Sequence, residues 1–352
     1  MTKVDTISQE KDDIQPSNPV IQFVKRIFQI REIGVLIALI ALVAYMSIES
    51  DVFLTELNVF NVLRQMSAIG IMSIGMTMVI VTAGIDLSVG SMLAASAMVT
   101  ARLIFTEAAD PWIAFIAGLG MGGILGLING LVITRLRVNP FITTLGMLSM
   151  ARGLTYLLSS GLQGTVASNV PLRHEGVSFL GNGYVLQDFE FLFIKLERGI
   201  PFPVIIMFAL VIVFSLFLRY TVLGRQIYAV GSNEAAARLS GVPVDRVKLF
   251  VYAITGVLCA LSGIILAGLL RTSATNAGVG IELSVIAAVV IGGASLMGGE
   301  GTIFGAIIGA AIIAIVRNAF VLLSVPSYAQ QITIGAVIIV AVAIDQWRRR
   351  SR

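Results

Sequence analysis

The chain is poor in nearly every residue that ordinarily carries chemistry. Its 352 residues include one cysteine, Cys259, and one histidine, His174. A lone cysteine inside an apolar run excludes a disulfide framework and a thiolate metal cluster. A lone histidine excludes any site needing two imidazoles, the His-Glu-x-x-His zinc helix among them. No Gly-Lys dipeptide occurs, so there is no Walker loop and no ATP hydrolysis by this chain alone. A Gly-x-Ser-x-Gly nucleophile elbow is absent as well. These gaps leave no catalytic residue, metal site or cofactor to assign, and the reading is of a non-enzyme.

Charge is scarce too. Only 12% of residues are charged against 57% hydrophobic, and mean hydropathy is +0.94. Soluble domains carry about 25% charged residues, and a chain this long cannot hide so much apolar surface in a water-facing fold. The composition is that of a membrane protein. Its net charge of +4 is then a topological signal of Lys and Arg rather than a footprint for nucleic acid.

A helix needs about 20 largely apolar residues to cross a hydrocarbon layer roughly 30 Å thick. Such runs occur near 33–50, 58–83, 88–106, 112–134, 140–160, 201–219, 247–270, 281–297, 301–323 and 328–346. The expected fold class is therefore all-α, a polytopic transmembrane helix bundle of about ten spans. Two pairs, 58–83 with 88–106 and 281–297 with 301–323, are joined by only a few glycine-rich residues; broken or re-entrant spans there lower the count to eight or nine. Pro111, Pro140, Pro201 and Pro203 stand at or near helix starts, where a missing amide hydrogen costs nothing. Residues 1–32 read as a polar tail without the pattern of a signal peptide, and 347–352 as a basic one. Ten spans put both termini on one side, and most Lys and Arg fall on that side, making it cytoplasmic. Gly118, Gly122, Gly126 and Gly130, and again Gly301, Gly305 and Gly309, recur every four residues. Small residues so spaced let helix backbones approach, either within one bundle or at a dimer seam.

Two loops are long: an outer one, 161–200, and an inner one, 220–247. In the inner loop Ser232 or Asn233 can cap a short helix, Glu234 complements its positive end, and Gly241 with Pro243 stops it. Spacing alone leaves open whether this is a plain surface helix or one that docks into another protein.

Asn233, Glu234, Ala235, Ala236, Arg238 and Gly241 nevertheless resemble the Glu-Ala-Ala…Gly coupling helix of ATP-binding-cassette importer permeases, with one extra residue before the glycine. Thr-Ala-Gly-Ile-Asp-Leu-Ser-Val-Gly-Ser at 82–91 is similar to a segment of ribose-type monosaccharide permeases, a group that also carries autoinducer-2. Ala-Ala-Val-Val-Ile-Gly-Gly-Ala-Ser-Leu-Met-Gly-Gly-Glu-Gly-Thr at 287–302 and Gly-Arg-x-Ile-Tyr-Ala-Val-Gly-x-Asn-Glu-Ala-Ala at 224–236 are similar to further family segments. The resemblance implies a permease domain over 33–346 in the bacterial cytoplasmic (inner) membrane, with 161–200 periplasmic and 220–247 the coupling loop. It implies as partners a cytoplasmic ABC ATPase subunit, a periplasmic or lipid-anchored sugar-binding protein, and a second permease copy or paralogue.

Polar residues inside the spans supply the translocation-path candidates: Asp86, Ser88, Asn129, Thr143 and Arg152. Asp86 either caps the third span at its amide hydrogens or places a carboxylate beside the substrate route. Arg152, at mid-span, costs roughly 2.5–3.5 kcal/mol on insertion scales and must face protein or water. Asn129, Thr143 and Thr144 suit hydroxyl recognition, and suit equally a bond to a neighbouring helix. A self-sufficient secondary transporter, with Asp86 and Arg152 as coupling groups, is the alternative the residues allow.

Overall fold

The computed structural model describes residues 31–160, 167–187, 189–191, 194–196 and 199–350. Residues 1–30 of the expected tail, outer-loop residues 161–166, 188, 192, 193, 197 and 198, and the final residues 351–352 lie outside the described residues. The helices are α1 (Arg31–Glu49), α2 (Glu56–Val81), α3 (Val89–Phe105), α4 (Pro111–Arg135), α5 (Pro140–Ser160), α6 (Glu175–Asn182) and α7 (Phe202–Tyr220). There follow α8 (Val222–Ser232), α9 (Glu234–Leu239), α10 (Val244–Leu270), α11 (Ile281–Ile291), α12 (Ile303–Leu322) and α13 (Ser327–Arg350).

Each expected apolar run falls on a helix. Among the described residues, α2, α4, α5, α7, α10 and α12 are long and apolar enough to cross a bilayer, while α1, α3 and α11 are shorter apolar helices. The all-α expectation needs one addition, three short antiparallel pairings of two strands each among the described residues. In one of them β1 (Asn169–Pro171) pairs with β6 (Thr272–Ala274), tying the outer loop to the segment after α10; in the others β2 (Tyr184–Val185) pairs with β5 (Ile200–Pro201) and β3 (Phe189–Phe191) with β4 (Ile194–Leu196).

Helix α2 is the centre. From Ile69 to Val81 every residue is buried, and this half of the helix, whose only polar side chains are Ser73 and Thr77, has no polar face. Around it, exposed Ile113, Ile124, Ile142, Leu157 and Ile212 give α4, α5 and α7 an apolar outer surface. The glycine stripe of α4 is used inside the chain. A Cβ at Gly122 would strike the carbonyl of Gly256 on α10, and one at Gly256 would strike the carbonyl of Gly122, so neither helix could approach if larger residues stood there.

One expected span is corrected. The run 281–297 is helical only to Ile291, because a hydrophobic stretch does not show where a chain turns left-handed. Gly293 adopts φ +94°, its N–H donates to Val290 O (2.9 Å), and the Ala294 N–H donates to Val289 O (3.1 Å). That is a Schellman closure. The same device ends α2: Ala83 sits at φ +58°, with Ala83 N to Ile80 O at 2.9 Å and Gly84 N to Val79 O at 3.0 Å.

Candidate functional site

The inner loop holds the short helix expected from Asn233 to Gly241, but residues 222–232, expected as loop, form the helix α8. Asn233 caps α9, its side chain accepting from Ala236 N at 2.9 Å. The helix closes at Leu239, and Gly241 at φ +82° carries the turn. Only Ala237 of α9 is buried; Leu239 is 91% exposed. Its charges are tied back to the start of α10. Arg238 reaches Glu234 (3.3 Å) and Asp245 (3.0 Å), and Lys248 reaches Glu234 at 2.7 Å. The hydrogen bond from Lys248 holds the Glu234 carboxyl below its ordinary value of 4.5, and Asp245 raises Arg238. These polar pairs fix the helix and leave its leucine outside.

The preceding helix, α8, is seated on both helix breaks. Gly231 lies so close to Val81 that a Cβ there would strike the Val81 carbonyl, and it would come within 2.7 Å of Gly299 N. Gly299 N–H itself donates to Val81 O at 2.9 Å, joining the end of α2 to the turn between α11 and α12. Tyr228 Oη donates to Gly301 O at 2.8 Å. Three segments far apart in sequence, 82–91, 224–236 and 287–302, thus form one junction directly behind α9.

Of the polar candidates, the fold brings three together. Asp86 Oδ1 accepts from Ser88 N (2.8 Å) and Ser88 Oγ (2.5 Å), and Ser88 Oγ accepts from Asn129 Nδ2 at 2.9 Å. All three residues have no solvent exposure. Asp86 does not cap α3 as expected; Ser88 is the N-cap residue, and Asp86 instead closes a two-residue turn ahead of it. Thr143 stays apart, its hydroxyl bonded to Asn139 O at 3.1 Å. Its neighbour Thr144 reaches the site, donating to Ile85 O at 3.3 Å.

Arg152 is also elsewhere. Its Nη1 donates to Thr275 O and Ala277 O, both at 2.8 Å. These carbonyls belong to the irregular segment between β6 and α11, whose Gly278 lies against Gly90 at the start of α3. Non-helical backbone inside such a bundle needs internal partners, and Arg152 supplies two of them.

Two residues escaped the sequence reading. Tyr252, 1% exposed on α10, points its hydroxyl at Gly84; Tyr228 carries the contact to Gly301. The signal available for both was a hydroxyl within an otherwise apolar stretch. His174 caps α6, accepting from Val177 N at 3.2 Å. Among the described residues no three His, Cys, Asp or Glu side chains gather as a metal site would require.

A helix bundle whose broken spans are locked behind an exposed surface helix has the form of a membrane permease. Residues 58–342 match the family described as branched-chain amino acid transport system / permease component, and the chain belongs to that family. It is 41% identical over 310 residues to the ribose import permease protein RbsC of Escherichia coli K12, covering 88% of this chain and 92% of the relative. The Bacillus subtilis ribose import permease protein is 41% identical over 316 residues, covering 90% and 93%. An L-arabinose ABC transporter permease protein of Azospirillum brasilense is 35% identical over 319 residues, covering 91% and 88%. No solved structure is significantly similar to the chain.

Proposed function

We propose that the chain is the permease subunit of an ATP-driven importer of a ribose-class monosaccharide, with ATP hydrolysed by a separate subunit. The observation that carries this reading is the junction behind α9: any displacement of the short exposed helix passes through α8 to the end of α2 and the α11–α12 turn at once. A sugar, rather than an amino acid, is favoured because the relatives are ribose and L-arabinose permease proteins.

In this reading the α9 face is cytoplasmic, both termini share that side, and about ten spans cross the bacterial inner membrane. Leu239 enters a groove on the ATPase subunit, and Asn233, Glu234, Ala235, Ala236, Arg238 and Gly241 shape the helix that presents it. A sugar-binding protein docks over 161–200, and a second permease copy or paralogue completes the pathway. Asp86, Ser88 and Asn129 border the route, offering hydrogen bonds to hydroxyls when the bundle opens, with Thr143 and Arg152 further along it.

Co-purification tests the reading. Burying one leucine is worth about 1.5–3 kcal/mol, so Leu239→Asp lowers ATPase-subunit recovery by about tenfold or more while the permease stays folded. Recovery at the wild-type level from the Leu239→Asp protein contradicts it.

A further inference from the structure

The cluster at the α2–α3 break has a direction built into its hydrogen bonds. Asn129 Nδ2 can only donate, so Ser88 Oγ accepts from it and must give its own hydrogen to Asp86 Oδ1. Oδ1 also receives the Ser88 N–H, which leaves Asp86 Oδ2 as the carboxyl oxygen with a lone pair unused. Oδ2 is buried without a hydrogen-bond partner in the protein, as are Asn129 Oδ1 and the Tyr252 hydroxyl. The residues that own these atoms are at most 1% exposed.

Among the described residues no cation is hydrogen-bonded to Asp86. From α10 the titratable groups that sense Asp86 are Tyr252 and Cys259, neither of them a cation. From α4 comes the neutral Asn129, from α5 the Thr144 hydroxyl and Arg152, whose guanidinium is engaged by Thr275 O and Ala277 O, and from α11 Glu282, beside Gly90; Thr82, just past α2, bonds its hydroxyl to Val79 O. The ion pairs the structure shows among the described residues lie on α9 and α10, at Glu234, Arg238, Asp245 and Lys248. A carboxylate so placed, buried with one oxygen unpartnered and no cation bonded to it, is neutralised rather than kept ionised.

We propose that this cluster is a proton-binding site: with residues 82–88 closed as in this structure, Asp86 is a neutral acid carrying its proton on Oδ2. The proton is taken from solvent when the break closes and returned to solvent water when 82–88 becomes hydrated. Low pH therefore favours the closed break and high pH the hydrated one. The assignment does not depend on which solute is carried.

Infrared spectroscopy on full-length permease labelled with carboxyl-¹³C aspartate tests it. At neutral pH the wild type shows the carbonyl stretch of a protonated aspartic acid, shifted in D₂O and missing from Asp86→Asn. Asp86→Asn mimics the neutral acid and keeps wild-type thermal stability. If that variant does not fold, titration of the wild-type band decides: a band persisting at neutral pH supports the site, and a band already lost in mildly acidic buffer overturns it. A neutral-pH spectrum without the band, with thermal stability that falls when sodium is replaced by choline, also overturns it and assigns the site to a cation instead.

Discussion

Among the described residues two glycine-marked joints between apolar helices, at 82–88 and at 292–302, interrupt the helices, and the fold resolves the two breaks differently. Both begin with the same left-handed closure, at Ala83 in one and Gly293 in the other. Beyond that point the first break is filled with side chains: Asp86, Ser88, Asn129 and Thr144 bond one another or the backbone. The second also presses main chain against main chain. Ser295 N bonds Glu300 O at 3.0 Å, Gly299 N bonds Val81 O, and a Cβ at Gly292 would strike Gly305. A break lined with polar side chains can be reshaped by water, solute or a proton; one closed glycine against glycine moves as a unit. The difference suggests that the first break senses and the second transmits.

The largest effect is expected where the two breaks meet. Gly231→Ala puts a methyl group into the Val81 carbonyl, at or above the upper end of the roughly 1–3 kcal/mol cost of overpacking; the melting temperature of the purified permease falls and uptake is lost. Next comes a test of the polar lining of the first break. Ser88→Ala strands Asn129 Nδ2 and removes a bond to Asp86, costing about 1–3 kcal/mol. Wild-type thermal stability in this variant would erase the distinction.

The shared closure can be tested by exchange. A non-glycine residue in the left-handed region costs roughly 1–2 kcal/mol, so Gly293→Ala destabilises by about that amount while Ala83→Gly is neutral or stabilising in the same thermal assay. Tyr228→Phe removes one hydrogen bond to the second break, worth about 0.5–1.5 kcal/mol. It lowers the uptake rate by about two- to tenfold while leaving ATPase-subunit binding intact.

The smallest effect lies outside both breaks, on α9. Its exposed ion pairs are worth about 0.2–1 kcal/mol each, and Glu234→Gln changes thermal stability by no more than that. Because Lys248 holds the Glu234 carboxyl below 4.5, its contribution is intact above that pH and is lost only as the pH falls through the lowered value. Circular dichroism of α9-region stability against pH should show no loss between neutral pH and 4.5 from this group.

Much of this was legible in the sequence. The hydropathy runs gave the helices, glycine-rich joints marked both breaks, and Asn233 to Gly241 marked α9, since caps and left-handed glycines have local signatures. What was not legible depends on tertiary direction. Adjacent Thr143 and Thr144 are equivalent in sequence, and only the fold shows that Thr144 reaches Ile85 O, because one residue along a helix turns the side chain by about 100°. Where the Tyr228 and Tyr252 hydroxyls end is likewise visible only in the fold. Arg152 binds backbone carbonyls, which no pattern of side chains encodes.

The measurement that bears most directly on the account is ribose uptake into vesicles holding the permease. With the ATPase subunit and ATP inside and the sugar-binding protein outside, ribose should accumulate above its external concentration, and omission of the ATPase subunit should abolish that accumulation. Accumulation by the permease alone, driven by an ion gradient, would contradict the account.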